Sequence, residues 1–163
     1  MVKHPYKVYA WGAFLAKEPI GLYLFTSIIG GFFYCEILTE NLFDNVNTIM
    51  KRYWIFMQNN DLKYKAKATM DLLAQKCLKL LDWPSNSPDL NPIENLWSIL
   101  KVKVEKEVNK LINKKKGITV DIFLEIIQRE WEGIEKMTYL NLVNSMPARL
   151  EQVIECDGNK IPY

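Results

Sequence analysis

The sequence predicts an α/β fold whose C-terminal part is helical, and three features carry that prediction. Short aromatic and β-branched runs alternate with stretches of helical periodicity across residues 7–81. A proline-punctuated loop at residues 84–92 then opens abruptly into a long amphipathic pattern. Beyond Gly117 only helical spacing remains. Strand, helix, strand and helix in this order argue for a sheet whose parallel strands present their C-terminal ends together.

Lys7 to Phe14 (KVYAWGAF) and Ile20 to Thr26 (IGLYLFT) read as two strands, with Leu15 to Pro19 between them as a hairpin connection. Gly30-Gly31 marks a second turn, and Phe32 to Cys35 reads as a third short strand. Thr39 is placed to cap a helix running to about Met50, since Leu42, Phe43, Val46, Ile49 and Met50 share a face. Tyr53 to Gln58 (YWIFMQ) is too short and too aromatic for a helix of its own and reads as a buried strand. Asn59, Asn60 and Asp61 end it, Lys63 to Cys77 resumes helical spacing, and Leu78 to Leu81 is a further brief apolar run.

Pro84, Pro88 and Pro92 each remove a backbone donor and restrict the residue before them, so the segment they punctuate is a loop. A helix must start at its end. Asn91 suits the N-cap, Pro92 the first helical position, and Glu94 falls three residues after the cap, where a carboxylate meets exposed N–H groups. Ile93, Leu96, Trp97, Leu100, Val104, Val108 and Leu111 then repeat at helical spacing. Gly117 breaks the pattern, and Thr119 is placed to cap Val120 to Gly133. Thr138 to Cys156 is a further helical stretch, bent or split at Pro147 unless that proline occupies a first turn. Trp131, Leu140, Leu142, Val143, Leu150 and Val153 read as core, and Asp157 to Tyr163 as a polar tail.

With 163 residues, 49% of them apolar and 25% charged, the chain has the size and balance of one globular domain. No stretch approaches the roughly 18 uninterrupted apolar residues of a membrane helix, and MVKHPYKVYAW does not read as a signal peptide. Cys35, Cys77 and Cys156 are odd in number and widely spaced, as expected of reduced thiols in the nucleus or cytoplasm. His4 is the sole histidine, which argues against a histidine triad or a zinc site. The net charge of +2 is small but unevenly spread: seven lysines stand between Lys101 and Lys116 against Glu105 and Glu107. Lys63, Lys65 and Lys67 form a second cluster. Either group could track phosphates, or simply solvate a helix face.

Residues 82–97, Asp-Trp-Pro-Ser-Asn-Ser-Pro-Asp-Leu-Asn-Pro-Ile-Glu-Asn-Leu-Trp, closely resemble the signature around the last catalytic carboxylate of Tc/mariner superfamily DNA transposases. Trp11-Gly12-Ala13-Phe14 resembles a strand of the same family. The resemblance implies an RNase H-like mixed sheet flanked by helices, with Glu94 as the final acid of a DDE triad. The family's second acid closes a strand in a motif like Gln-Gln-Asp-Asn-Asp-Pro-Lys-His. Here Phe56 to Tyr64 aligns with it without gaps, and the catalytic position is Asn59. Residues 60 to 93 place 34 positions between Asn59 and Glu94, the separation typical of the family's last two acids. Leu62 and Tyr64 depart from the family's Pro and His, and Asp61, two residues beyond Asn59, is the acid on that turn.

A DDE enzyme of this family uses two divalent cations, Mg²⁺ or Mn²⁺, which need clustered carboxylates. Asn59 offers a carbonyl oxygen without charge, so Glu94 and Asp61 are the candidate metal ligands that remain. In relatives the first acid sits on a strand upstream of the Trp-Gly-x-Phe strand, so the resemblance implies a truncated sheet lacking that central strand, with an exposed edge that invites self-association. The reading is therefore a partial DDE domain over residues 1–110 with a C-terminal helical extension over 111–163. It contacts DNA weakly and electrostatically through Lys63, Lys65, Lys67, Lys101, Lys103 and Lys110, does not enter membranes, and is inactive in strand transfer. A helix-rich protein-interaction module derived from a transposon is the alternative.

Overall fold

Residues 9–25 fold as a hairpin because the segment between its strands closes tightly: Leu15 N–H donates to the Glu18 carbonyl at 2.8 Å. The computed structural model describes residues 7–50, 54–59, 61–76, 79–84 and 87–162. They divide into two compact units, one made of residues 1–24 and 88–163 and the other of residues 25–87.

In the first unit β1 (Tyr9–Phe14) pairs with β2 (Pro19–Phe25). Four helices follow the loop: α4 (Pro92–Asn113), α5 (Val120–Glu132), α6 (Lys136–Asn144) and α7 (Met146–Glu155), numbered on from the three helices of the other unit. Leu96, Leu100, Val104 and Val108 recur every four residues along α4 and meet Phe123, Ile126, Ile127 and Trp131 of α5 in one buried cluster. Both helix starts behave as the sequence predicts. Asn91 accepts from Ile93 N–H at 3.3 Å, and Thr119 accepts from Ile122 N–H at 3.3 Å. Pro147 falls in the first turn of α7, so the stretch divides into two helices at Ser145 without losing an interior bond.

Gly12 is where β1 meets α4. A Cβ there would stand 2.6 Å from the Trp97 ring and 3.0 Å from that of Trp131. The two indoles stack on each other, centroids 5.3 Å apart. The absent side chain thus lets α4 lie close against the strand.

In the second unit the sequence reading needs correction. Phe32 to Cys35 is not a strand but part of α1 (Gly31–Ile37), which continues through a wide π turn at Leu38–Phe43 into α2 (Asp44–Ile49). Tyr34, Ile37, Leu38 and Leu42 are buried at helical spacing, while Phe32 is 82% exposed. The aromatic run therefore belongs to a period of 3.6, and Gly30 serves as the helix N-cap. Thr39 lies inside this helical segment, where its hydroxyl donates to the Cys35 carbonyl at 2.8 Å instead of capping a start.

The strand expected over Tyr53–Gln58 is reduced to β3 (Ile55–Phe56), Tyr53 lying outside the described residues. It pairs in parallel with β4 (Lys79–Leu80), and Leu81 N–H extends the ladder to the Phe56 carbonyl at 2.8 Å. Between them runs α3 (Lys67–Gln75), shorter than the pattern from Lys63 suggests because residues 61–65 form a turn. Two more expectations fail in the first unit. Leu150 is 47% exposed, and the tail is not wholly polar in its placement, since Ile161 is 2% exposed.

Candidate functional site

Glu94 sits in the first turn of α4, partly buried, with its N–H donating to the Asn91 carbonyl at 3.0 Å. A carboxylate there faces the positive end of the helix dipole and the free N–H groups of the turn. Four residues of the turn and its approach, Asp89, Leu90, Asn91 and Pro92, are themselves buried. The position of the acid is accordingly set by the packed loop as well as by the helix.

What packs that loop is a guanidinium that sequence reasoning missed. Arg149 of α7 is 2% exposed. Its Nη1 donates to the Asp89 carbonyl at 2.7 Å and to Asn95 Oδ1 at 2.7 Å, and its Nε donates to Ser145 Oγ at 2.9 Å. The Asp89 carboxylate in turn accepts from Ile161 N–H at 2.9 Å. These charge-assisted bonds tie the chain on both sides of Glu94 to α7 and to the tail. The one local signal is that Arg149 shares a helix face with Met146 and Val153; its acceptors lie far away in the chain.

Asn59 and Asp61 belong to the second unit. Asn59 is exposed just beyond β3, and Asn60 lies outside the described residues. The turn is anchored by Tyr34, whose hydroxyl donates to Gln58 Oε1 at 2.9 Å and whose ring lies 4.5 Å from that of Tyr64. Asp61 closes an Asx turn. It accepts from Lys63 N–H at 3.1 Å and from Lys63 Nζ at 2.6 Å. The Lys63 ammonium and N–H hold its carboxyl below the usual carboxylate range.

Among the described residues no group of three or more His, Cys, Asp or Glu is placed to hold a metal ion. The donors present do not fit a two-cation site: residue 59 brings a neutral amide, and the charge of Asp61 is already matched by Lys63.

The lysines divide by engagement. Lys63 is bound to Asp61, Lys110 pairs with Glu107, and Lys103 Nζ donates to the Gly133 carbonyl at 3.4 Å. Lys110, Arg129 and Lys106 together hold the Glu107 carboxyl below its ordinary range, the Lys110 hydrogen bond most of all. Lys65, Lys67 and Lys101 are exposed and make no ion pair among the described residues.

Residues 38–116 match the model of the DDE superfamily endonuclease family. The chain is 34% identical over 156 residues to the transposable element Tc3 transposase of Caenorhabditis elegans, covering 96% of this chain and 46% of that protein. It thus spans about half the length of the curated relatives it matches. The catalytic domain of Mos1 mariner transposase superposes with a TM-score of 0.77 at 17% identity, over 99% of this chain and 79% of that one. A Mos1 transposase paired-end complex with the left transposon end superposes with a TM-score of 0.72 at 18% identity, over 90% and 42% of the two chains. The fold is RNase H-like, helix-rich with small sheets.

Proposed function

Since the chain carries a Tc/mariner DDE transposase domain, we propose that it contacts DNA through its free lysines and has lost the strand-transfer chemistry from which it descends. The observation that carries this reading is the contrast between the two matched acidic positions. Glu94 occupies an intact, capped and partly buried first turn, while residue 59 is an asparagine on an exposed turn whose one carboxylate is neutralised by a lysine. Two hard cations need more negative oxygen than this. Lys65, Lys67 and Lys101 remain to meet phosphates, with Lys63, Lys103 and Lys110 contributing where their present partners release them.

Fluorescence anisotropy of a labelled duplex across a salt series tests the DNA contact. Affinity is expected to fall steeply with salt, and each of Lys65→Ala, Lys67→Ala and Lys101→Ala to lower the log–log slope by about 1. No binding at low salt removes the idea. Nicking of a duplex with Mg²⁺ or Mn²⁺ is expected to be absent. Nicking that disappears in Glu94→Gln would overturn the loss of chemistry.

A further part of this reading is self-association by strand addition: among the described residues β1 is strand-paired with β2, and the edge of so small a sheet is where another chain can add. Self-association is expected in sedimentation, and the mass of a single chain at all concentrations contradicts it. A second reading, a protein-interaction module, is favoured by α7, where Leu150 and Ile154 stand four residues apart at 47% and 76% exposure. Co-purification separates the two: nucleic acid supports the first, a defined protein the second.

A further inference from the structure

We propose that Arg149 is a positioning residue for Glu94, a clamp from α7 that sets where the first turn of α4 presents its carboxylate. The inference rests on Glu94 being the retained acid of the site. Its basis is a single side chain bonded on both sides of that residue. One Nη1 reaches back to the Asp89 carbonyl and forward to Asn95 Oδ1, each at 2.7 Å, so the five-residue stretch between those two acceptors and its cap are held to one point. Asn95 immediately follows Glu94, and Asp89 closes the loop that leads to the cap.

The clamp is itself fixed. Nε is held by Ser145 at the junction of α6 and α7, and the guanidinium is shut away from solvent at 2% exposure. Behind the loop, the buried backbone N–H of Ile161 donates to the Asp89 carboxylate at 2.9 Å. The loop is thus fastened from α7 through its carbonyl and from the tail through its side chain. A guanidinium suits this task because its donors are planar and rigid, whereas a lysine ammonium on a flexible stem cannot serve two fixed acceptors and a hydroxyl with the same geometry. An arginine needed only to fill space would not require its acceptors to bracket one acid.

Amide hydrogen exchange followed by NMR on the full chain tests the clamp, with Arg149→Lys as the main variant and Asn95→Ala as a milder one that removes a single arm. Exchange at Leu90, Ile93 and Glu94 is expected to quicken about tenfold to a hundredfold in Arg149→Lys. The amides of Val104, Val108 and Ile126 should change by less than about threefold, because they lie in the α4–α5 core. In Asn95→Ala the same local pattern is expected at about tenfold or less. The ¹³C resonance of the Glu94 side-chain carboxyl reports the acid directly. A clear shift or broadening of that resonance in Asn95→Ala, with the α4–α5 core amides unchanged, supports positioning. Exchange that quickens uniformly, or not at all in both variants, overturns the clamp. The expected exchange pattern with an unmoved Glu94 carboxyl resonance leaves Arg149 as a purely structural residue and overturns its positioning of the acid.

Discussion

The turn that carries Glu94 and the turn that carries Asn59 and Asp61 are each built on a different principle. The first is buried, capped by Asn91, clamped by Arg149 and backed by the stacked indoles of Trp97 and Trp131. The second is mostly exposed and follows a two-residue strand. Its stability comes from a local Asx turn and from Tyr34. A side chain on a capped and clamped turn is held in place by its surroundings, whereas one on a surface turn can be replaced with little structural penalty.

The strongest way to test this contrast is to remove one support from each turn. Trp131→Ala takes away the platform under Trp97 and should cost about 3–5 kcal/mol in denaturant unfolding. Tyr34→Phe, which loses only the hydroxyl bond to Gln58, should cost about 1 kcal/mol. Similar values for both would erase the distinction. Gly12→Ala should come next at about 1–3 kcal/mol, because the new methyl would sit 2.6 Å from the Trp97 ring.

Smaller effects sharpen the same comparison. Asn91→Ala removes a side-chain cap and is expected to lower stability by about 1 kcal/mol. Asp61→Ala, on the exposed turn, should lower it by no more than about 0.5 kcal/mol. The acid and alkaline limbs of stability should also separate. The Asp61 carboxyl lies below its ordinary value of 3.8, so its contribution is present above that pH and is lost as pH falls through the lowered value. Tyr139 behaves oppositely. Burial pushes its hydroxyl from 10.0 up to about 12, so its contribution is complete below pH 10.0 and is lost as pH rises toward about 12. Its hydroxyl has no hydrogen-bond partner among the described residues. Tyr139→Phe should therefore flatten the alkaline limb and leave the protein as stable or slightly more so at neutral pH, as thermal unfolding across pH would record.

Which features were legible in the sequence follows from how local their causes are. The caps at Asn91 and Thr119, the first-turn proline at residue 147 and the apolar face of α4 each depend on neighbours within a few positions, and all stand where the pattern puts them. Phe32 to Cys35 is ambiguous in sequence because a short aromatic run fits either period, and the helical burial of Tyr34, Ile37 and Leu38 decides for the helix. The Arg149 clamp joins residues 54 and 60 positions apart, beyond any local pattern. The composition of the tail is polar, while its attachment rests on the bond from the Ile161 N–H to the Asp89 carboxylate, which composition does not reveal. Of the candidate site, the motif around Glu94 and the amide at residue 59 were readable directly. The pairing of Asp61 with Lys63 required the folded turn.

The most direct measurement of the central claim is amide hydrogen exchange at the two turns of the wild-type chain. The amides of Ile93 and Glu94, behind the cap and the Arg149 clamp, should be protected at least about tenfold more than those of Asp61 and Lys63 on the exposed turn. Equal protection at the two turns would mean that cap and clamp add nothing to the turn of α4, and the account would be wrong.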